Sequence, residues 1–511
     1  MPKEIEFKFE VPPRAIQKLR RLRALRHADG GRIREEDLVS VYFDTPRHKL
    51  RKHGISLRVR HIGDKRIQTI KANGQSAAGL FSRDEWEKPI NRDTPDLRAV
   101  RHTPLRALLT KKLVHQLEPL FETRVRRTVV PLKVGGSRIE LTLDRGDVRL
   151  GRKSAPISEV ELELKRGKPD ELLKLAHKIV EQVPARLAVR SKADRGYDLL
   201  EDRSVAAVPA EKIKLAPDET TADAFRAIAR ACLHHLAANE PAVRAHDSEG
   251  VHQMRVGLRR LRAAISVFSG LLADPQTERI KTALKWLTGE LGRARDLDVY
   301  VTGNIKPLER TLPPKRGLLD LQRDLERQRE EAFERARKAV ESTRYRALVL
   351  DTLSWLEAGD WTSGGDELVK ARRERNVKDF AREEIARRAK KVMRRSRKLA
   401  ELDGERRHKL RIAMKKLRYA IEFFESLFVA RKESKRIGRF ERLLAELQDS
   451  LGALNDISVH QKLARELVAK RPRPERVFAI GLVSGREQCR VDPLRKAAVK
   501  AAERLAEARP F

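Results

Sequence analysis

The stretch KEIEFKFE at residues 3–10 alternates charged and apolar side chains along its whole length. Successive side chains of a β-strand point to opposite faces, so Glu4, Glu6 and Lys8 would share one face. A second stretch, EVELELK at residues 159–165, repeats the arrangement with three glutamates and a lysine. Both stretches therefore predict strands with one charged face and one apolar face.

A period of two persists up to about residue 200. It predicts strands at 3–10, 39–43, 55–61, 66–71, 81–87, 122–131, 138–144 and 157–165. Turn residues divide them, including Asn73-Gly74 and Asp144-Arg145-Gly146. Helical patterns interrupt the strands near 96–119 and 169–182. The first domain is therefore predicted to combine an antiparallel sheet with a few flanking helices.

The charged faces of the other strands also mix cations with carboxylates. They carry Arg58, Arg60, Lys71, Arg83, Glu85, Glu87, Arg124, Arg126 and Asp144. Such alternation is typical of the solvated face of an antiparallel sheet. The opposite faces are uniformly apolar, which favours a barrel with its charges inward and its apolar side under helices. Carboxylates bind Mg²⁺ or Mn²⁺ and cations bind phosphate oxygens, so this interior suits a metal-chelated polyanion.

The overall charge is strongly positive. The chain of 511 residues has 112 Lys and Arg against 74 Asp and Glu, a net charge of +38. Such a chain attracts polyanions, and nucleic acid, a membrane surface and inorganic polyphosphate are all compatible with it. Aromatic residues make up only 5%, which disfavours single-stranded nucleic acid.

Other compositional features narrow the class of protein. No run of about 18 apolar residues occurs, so we expect no membrane span. The first ten residues, MPKEIEFKFE, lack the apolar core of a signal peptide. Two cysteines, Cys232 and Cys489, exclude a disulfide scaffold and fit a reducing compartment. We therefore expect a cytoplasmic protein.

Residues after about 219 show a helical period of 3.6 and contain an internal repeat. VHQMRVGLRRLRAAISVF at 251–268 matches RHKLRIAMKKLRYAIEFF at 407–424. Downstream, LGRARDLDVY at 291–300 matches LGALNDISVH at 451–460. Two matches in the same order predict two copies of one helical bundle.

Each copy carries a basic stripe on one helix face. The stripes consist of His252, Arg255, Arg259 and Arg262 in the first copy and His408, Arg411, Lys415 and Arg418 in the second. A solvated helix face is the alternative interpretation. No acidic residue lies within either stripe, which favours an anionic partner. Neither histidine has a second ligand at i+4, so phosphate hydrogen bonding or helix capping fits better than zinc.

Glu4-Ile5-Glu6-Phe7-Lys8 resembles the ExExK signature of the CYTH superfamily, the triphosphate tunnel metalloenzymes. The order of later motifs agrees with the family over residues 1 to about 200. These motifs are YFDT (42–45), SLRVR (56–60), IKAN (70–73), SRDEWE (82–87), LTLD (141–144), EVELELK (159–165) and SKADRGY (191–197). The resemblance implies an eight-stranded antiparallel tunnel that hydrolyses or cyclises triphosphate-containing substrates with a divalent metal.

The resemblance also implies roles for the residues that match its motifs. Implied metal ligands are Glu4, Glu6, Glu161 and Glu163, with Asp144 either a further ligand or the group that positions the attacking water. Implied triphosphate-binding residues are Lys8, Arg58, Arg60, Lys71, Arg83, Arg124, Arg126 and Lys192. The implied catalytic set is Glu4, Glu6, Lys8, Asp144, Glu161 and Glu163. With Mg²⁺ or Mn²⁺ as cofactor, the expected reaction is in-line attack of metal-positioned water on a terminal phosphoryl group.

The duplicated pattern H-x-x-R-x-x-x-[RK]-[RK]-L-R resembles the CHAD domain over about 219–511. CHAD domains are known as polyphosphate binders in which two four-helix bundles face a basic central pore. The two downstream segments differ, since Arg295-Asp296 becomes Asn455-Asp456. The domains are therefore expected at 1–203 and 219–511, joined by a connector at 204–218. The helical repeats are expected at about 219–361 and 375–511.

The leading hypothesis for function is an inorganic triphosphatase whose helical domain binds long-chain polyphosphate. A thiamine or nucleoside triphosphatase, or a class IV-type adenylate cyclase, would use the same metal and phosphate apparatus. A non-catalytic polyphosphate-binding or targeting protein is a further alternative, and nucleic-acid binding would be non-specific. Association with polyphosphate granules in the cytoplasm is the expected location.

Overall fold

The computed structural model describes residues 3–20, 32–77, 79–100, 102–203, 205–272, 274–307, 316–470 and 473–511, apart from the side chains of residues 3, 4, 73, 75–77, 99, 316 and 470. The chain divides into two compact units. The first comprises Met1–Ala207 and Glu341–Ala358, and the second comprises Val208–Val340 and Gly359–Phe511. A helix from the helical part of the sequence therefore clusters with the first unit.

The first unit is built on one sheet. Its strands are β1 (Lys3–Glu10), β2 (Arg34–Asp44), β3 (Ser56–Ile62), β4 (Lys65–Ala77), β5 (Leu80–Ile90), β6 (Glu118–Val134), β7 (Ser137–Leu150), β8 (Lys153–Arg166) and the short β9 (Arg186–Leu187). Hydrogen-bonded neighbours follow the order β5-β4-β3-β2-β6-β7-β8-β1, and β1 also pairs with β5. These antiparallel pairings close the first eight strands into a barrel, which confirms the predicted fold of this half.

Helices cover the apolar outside of this barrel. They are α1 (Pro13–Arg20), α2 (Lys49–Lys52), α3 (Leu105–Leu108), α4 (Lys111–His115) and α5 (Pro169–Gln182), with a 3₁₀ turn at Leu97–Val100. The unit also contains α6 (Lys192–Leu200) and α13 (Thr343–Ala358), and α13 packs against α5. The outward side chains Leu57 and Val59 of β3, for example, join a core cluster with Leu50 of α2 and Leu105 of α3. Charged residues of the same strands must then face inward, as the alternating pattern predicts.

Helix α6 closes one end of the barrel. Its Tyr197 belongs to an apolar cluster formed by inward-facing residues, Leu38, Tyr42, Phe121, Val125, Val148 and Ile157. Gly196 allows the close approach, because a Cβ at this position would lie 2.0 Å from the Phe121 ring. The barrel interior therefore has an apolar end and a charged remainder.

The two glycine-containing segments predicted to be turns lie within strands instead. Asn73-Gly74 falls within β4, where the register with β5 shifts between Ala72 and Gln75. Asp144-Arg145-Gly146 falls within β7, where Gly146 is paired with Val125 of β6. A Cβ on Gly146 would lie 1.9 Å from the Arg124 carbonyl oxygen. This glycine permits close approach of two strands, a role that local sequence does not distinguish from a turn.

The second unit is helical. Its helices are α7 (Thr221–Ala238), α8 (Glu240–Arg244), α9 (Ser248–Val267), α10 (Pro275–Glu290), α11 (Gly292–Tyr300) with a π turn at Val301–Ile305, α12 (Arg316–Glu341), α14 (Glu367–Glu374), α15 (Val377–Ser396), α16 (Gly404–Phe424), α17 (Arg431–Lys470), α18 (Pro474–Gln488) and α19 (Val491–Ala506). Three 3₁₀ turns lie at Asp360–Thr362, Leu399–Glu401 and Glu425–Leu427. No helix among the described residues is long and apolar enough to cross a membrane.

The internal repeat corresponds to a local two-fold arrangement of this unit. The Thr221 N–H donates to the Arg375 carbonyl (2.8 Å), and the Val377 N–H donates to the Glu219 carbonyl (3.1 Å). These hydrogen bonds are reciprocal, because positions 375 and 377 are the repeat counterparts of 219 and 221. The repeated helices α9 and α16 pack against each other at the centre of the unit.

Replacing Gly146 with alanine should destabilise the barrel by about 1–3 kcal/mol or more, because the new methyl group overlaps a neighbouring backbone. The measurement is the thermal unfolding midpoint followed by circular dichroism. Gly452→Ala in α17 is the control, since a Cβ there meets nothing within 4 Å. Equal melting temperatures for the two variants would contradict the strand pairing described for Gly146.

Candidate functional site

The charged part of the barrel interior is a cavity of about 260 Å³. Both carboxylates and cations line it, contributed by all eight strands and by the start of α6. The lining includes Glu6, Lys8, Arg34, Glu36, Tyr42, Arg58, Arg60, Lys71, Arg83, Glu85, Glu87, Arg127, Glu140, Thr142, Glu161, Glu163, Lys165 and Lys192. Because the lining residues come from strands that are far apart in the sequence, the site exists only in the folded barrel.

Three carboxylates on neighbouring strands form one cluster. Asp144 of β7 is paired with Glu159 of β8, and Glu161 lies two residues further along the same face. One oxygen from each of the three lies within 4.8 Å of the others, and all three side chains are buried. Hard oxygen donors at such separation are suited to a divalent cation.

Among the described residues, four cations contact this carboxylate cluster: Lys8, Arg127, Lys192 and Arg195, the last at 2.8 Å from Glu159. The Lys192 ammonium lies 2.9 Å from Asp144, 2.5 Å from Glu159 and 2.8 Å from Glu161. On the other side, Lys8 lies 2.8 Å from Glu161 and 3.1 Å from Glu6. Lys192 is held at the first turn of α6, whose N-cap Ser191 forms a capping box with Asp194.

Arg127 completes the network from β6. Its Nε and Nη2 donate to the two carboxylate oxygens of Asp144 at 2.7 and 2.6 Å, and Nη2 also donates to Glu161 at 2.8 Å. This two-pronged geometry is the strong form of an arginine–carboxylate pair. Arg127 thereby ties β6 to β7 and β8 inside the barrel.

The network keeps its members charged. Burial alone would raise the pKa of Glu161, but the neighbouring Lys192, Lys8 and Arg127 hold that pKa well below its usual value. Burial opposes the charge of Lys192, yet Asp144, Glu159 and Glu161 raise the pKa of its ammonium well above the ordinary value. Glu161 is therefore ionised at neutral pH, the form that binds a cation.

The opposite wall of the cavity is rich in arginine. Arg58 and Arg60 of β3 lie beside Lys71 of β4 and Arg83 of β5. Lys71 and Arg58 contact Glu85 at 3.3 and 3.9 Å. Burial, followed by the positive charges of Arg58 and Arg127, lowers the pKa of Arg60 to about 10.

Two features of this wall indicate an anion site. The Nε atoms of Arg58 and Arg60 are buried without a hydrogen-bond partner, so they have unused donors inside the cavity. Gly74 leaves room for Arg83, since a Cβ there would lie 3.0 Å from its Cγ. Clustered arginine donors of this kind match the oxygens of phosphate groups.

Arg124 and Arg126, which the sequence pattern grouped with the phosphate-binding cations, face outward. Arg124 pairs with Glu122 at 2.7 Å and Arg126 with Glu35 at 2.9 Å, both on the exposed side. Arg127 takes the inward place instead. Side chains alternate between the two faces of β6, and the inward positions at the apolar end are occupied by Phe121 and Val125. The neighbouring residues Arg124 and Arg126 therefore point outward.

The remaining predicted residues divide as follows. Glu6, Lys8, Lys71, Asp144, Glu161 and Lys192 meet inside the barrel. Glu163 lines the cavity and lies 2.6 Å from Lys165, away from the carboxylate cluster. Glu4 lies in β1 opposite Arg83, but its side chain is outside the described residues. Glu159 was absent from the predicted ligand set, although its position in EVELELK placed it on the same face.

The helical unit holds a second concentration of charge, between α9 and α16. Burial, together with Arg411 and Arg259, lowers the pKa of Lys415 to about 8. Burial and the charges of Arg259 and Arg295 likewise lower the pKa of Arg255, although Asp296 lies 4.0 Å from it. Residues of both basic stripes thus come together as one cluster, Arg255, Arg259, Arg411 and Lys415.

Four residues of the predicted stripes lie at the margins of this central cluster. His408 joins Arg407, Arg411, Asn455 and Gln461 around a cavity of about 310 Å³ in the second half. Burial and the charge of Arg295 lower the pKa of His252, which favours its neutral form. Arg262 and Arg418 are exposed on their helices. Arg262 acts electrostatically on Lys416 rather than on the central cluster.

Comparisons with known proteins match both units. One family model, the CYTH domain, matches residues 2–197, and another, the CHAD domain, matches residues 227–465. The crystal structure of the CHAD domain from the plant Ricinus communis is 30% identical, with a TM-score of 0.50, and the match covers 60% of this chain and 97% of that chain. The chain is a CYTH domain followed by a CHAD domain.

A curated relative matches the CYTH part. It is an inorganic triphosphatase from Haemophilus influenzae, 32% identical over 203 residues. The match covers 39% of this chain and 55% of the relative, so the chain spans about half the length of the curated relative it matches. The barrel with its charged interior is the CYTH domain, and the central cluster lies in the CHAD domain.

Glu161→Gln should lower the melting temperature of the CYTH domain at pH 7 by roughly 6–12 °C, because removing one member of a buried ion network costs about 3 kcal/mol or more. The pKa of Glu161 is depressed, so its contribution is complete above about pH 4.5 and is lost as pH falls through the lowered pKa. The difference from the native chain should therefore shrink in acid.

Melting curves at pH 7 and about pH 3 show whether the difference in melting temperature shrinks in acid as expected. Glu35→Gln serves as the control, because Glu35 pairs with Arg126 and Arg20 on the exposed surface. Exposed pairs contribute little, so this variant should melt like the native chain at both pH values. A Glu161→Gln defect that grows in acid would contradict the described network.

Proposed function

We propose that the CYTH domain hydrolyses inorganic triphosphate with the help of a divalent metal. The observation that carries the proposal is the division of the cavity into two walls, one with Glu161, beside which Asp144 and Glu159 are buried, and the other with Arg58 and Arg60. A purely structural network would neutralise its charges completely. Here buried arginine donors remain free opposite a carboxylate cluster.

The residues present fit a divalent metal. Asp144, Glu159 and Glu161 supply hard oxygens close together, and Glu6 lies next to them across Lys8. The Glu6 Oε1 atom is buried and without a hydrogen-bond partner, so it has acceptor capacity for a cation. When bound, Mg²⁺ or Mn²⁺ would neutralise phosphate charge and activate water.

The protein groups supply the remaining chemistry. Arg58, Arg60, Lys71 and Arg83 would bind the phosphate oxygens and stabilise charge that builds up as the terminal phosphoryl group transfers. Lys8 and Arg127 hold Glu161 in place from two sides. Asp144, oriented by Arg127, would accept a hydrogen bond from the attacking water and align it with the bond to be broken.

The lining favours triphosphate itself over a nucleotide. Tyr42 is the single aromatic side chain that lines the cavity among the described residues, and its hydroxyl lies 3.5 Å from Arg58. A base-binding pocket usually offers aromatic or apolar surface, whereas this lining is charged almost throughout. Thiamine and nucleoside triphosphates would leave their organic parts without partners here.

We also propose that the CHAD domain binds long-chain polyphosphate through the central cluster of Arg255, Arg259, Arg411 and Lys415. Four cations brought together from two helices repel one another, and burial together with that repulsion lowers the pKa of Lys415. A polyanion bound across the cluster would relieve it. Asp296 lies near the limit of contact with Arg255, which leaves the arginine available.

Arg127→Ala should reduce phosphate release from tripolyphosphate by about 100-fold or more, because it removes the group that orients Asp144 and Glu161. Arg126→Ala, which removes the adjacent outward arginine, should retain native activity. Phosphate release with Mg²⁺ and with Mn²⁺ is measured for both variants and for Glu161→Gln. Parallel assays with ATP and thiamine triphosphate test the preference for inorganic triphosphate.

The variants of Arg126 and Arg127 test which face of β6 belongs to the active site. Full activity of Arg127→Ala, or loss of activity in Arg126→Ala, would contradict the proposed site. Metal-dependent release that survives Glu161→Gln would contradict the proposed mechanism.

Arg259→Ala combined with Arg411→Ala should weaken binding of long-chain polyphosphate at least about tenfold and reduce its salt dependence, because fewer counterions are exchanged. Arg262→Ala combined with Arg418→Ala removes the same charge from exposed positions and should have a smaller effect. Binding is measured by titration at several salt concentrations, with duplex DNA as competitor. Displacement of polyphosphate by DNA at moderate salt would overturn the ligand assignment.

A further inference from the structure

The two-fold arrangement of the CHAD domain allows its two halves to be compared position by position. His252 corresponds to His408, so counterparts lie 156 positions apart. The core positions of α9 and α16 are similar, as in the pairs Leu261 and Leu417 and Ile265 and Ile421. One surface differs: a chain segment covers it in the first half, whereas a cavity remains at its counterpart in the second.

In the first half, residues 208–215 lie along α7, α9 and the end of α16. Asn239 accepts the Val208 N–H and donates to the Val208 carbonyl, each at 2.9 Å. Arg260 donates to the Glu211 carbonyl at 3.4 Å, and the Leu215 N–H donates to the Ser426 hydroxyl at 3.0 Å. The bound segment is irregular, and its backbone supplies most of these contacts.

In the second half, the corresponding surface is a cavity of about 220 Å³, here termed the α15–α16 cleft. It is lined by Ser266, Ser269, Arg387, Arg388, Lys391, Arg395, Ile412, Ala413 and Lys416. Arg395 stands where Asn239 stands in the first half, and Lys416 stands at the counterpart of Arg260. Of two groups that hold the peptide backbone in the first half, the neutral Asn239 is thus replaced by a cation and the cationic Arg260 by a lysine.

The charge balance also changes between the halves. Arg260 is neutralised by Glu422 at 2.8 Å, but the counterpart of Glu422 is Ser266. In the cleft, Glu384 pairs with Arg387 and Arg388 on its own helix. Lys416 faces Arg388, Lys391, Arg262 and Lys281, and burial together with these cations lowers the pKa of its ammonium. The cleft therefore carries excess positive charge.

The cleft also has an apolar component. Ile412 is 42% exposed, although it belongs to a helix whose other large apolar residues are buried. Ala413 lies beside it in the lining. A polyphosphate chain gains nothing from apolar contacts, whereas a peptide that carries acidic and apolar side chains would use both features.

We propose that the α15–α16 cleft binds an acidic peptide segment of a partner protein, in the manner in which residues 208–215 occupy the matching surface of the first half. Backbone groups of the peptide would meet Arg395 and Lys416, acidic side chains would meet Lys391 and Arg387, and an apolar side chain would cover Ile412. This site is separate from the central cluster and does not depend on the proposed polyphosphate binding.

The test uses the full chain and a fluorescein-labelled peptide of glutamates around one leucine, with fluorescence anisotropy as the readout. The cleft variant is Lys391→Glu with Arg395→Glu. The matched control, Lys390→Glu with Arg394→Glu, makes the same charge change on the same helix at positions outside the cleft. We expect the cleft variant to bind the peptide at least about tenfold more weakly than the control.

Two altered peptides and one competitor complete the experiment. Replacing the glutamates with glutamine should abolish binding, and replacing the leucine with serine should weaken it. Equal binding by the cleft and control variants, or no binding by the native chain, would overturn the proposal. The proposal would also be overturned if the cleft variant lost affinity for polyphosphate but kept its affinity for the peptide.

Discussion

The buried ion network that joins Lys8, Arg127 and Lys192 to Asp144, Glu159 and Glu161 is the constraint on which the CYTH domain depends. Moving such charges out of water costs several kcal/mol for each ion, so they are tolerated only when each carboxylate meets a cation in good geometry. Cations from β1, β6 and α6 and carboxylates from β7 and β8 meet these conditions together. The network therefore requires the paired strands β6, β7, β8 and β1 together with α6.

The barrel in turn dictates where the apolar residues lie. Strands with charged inner faces must bury their outer faces elsewhere, and the surrounding helices provide that cover. Leu50, Leu105 and Leu113 do so for β3 and β4. Helix α6 serves two purposes, since Tyr197 closes the apolar end while Lys192 reaches the carboxylates. An inside-out distribution of polarity is thus stable because both faces of the sheet are covered.

The CHAD domain treats charge differently. In the CYTH domain, the carboxylate cluster is paired with cations within bonding distance, while Arg58 and Arg60 on the opposite wall keep unused donors. In the CHAD domain, Arg255, Arg259, Arg411 and Lys415 come together, and within the described part of the domain the acidic groups that act on them are Asp296 and Asp456. That repulsion is stored in the folded state and can be relieved by an anion. The same side-chain types therefore support different functions according to how completely they are paired.

The sequence by itself determined the strand periodicity, the barrel class, the helical repeat and most cavity residues, because strand and helix periods place side chains on faces without reference to distant residues. Only the tertiary structure decided which residues meet. Arg127 replaces Arg124 and Arg126 inside the barrel because the inner face of β6 is apolar at its closed end. Strand register places Glu159 beside Asp144. Helix packing leaves Arg262 exposed rather than in the central cluster. Register, closure and packing depend on contacts between distant segments, which no local pattern specifies.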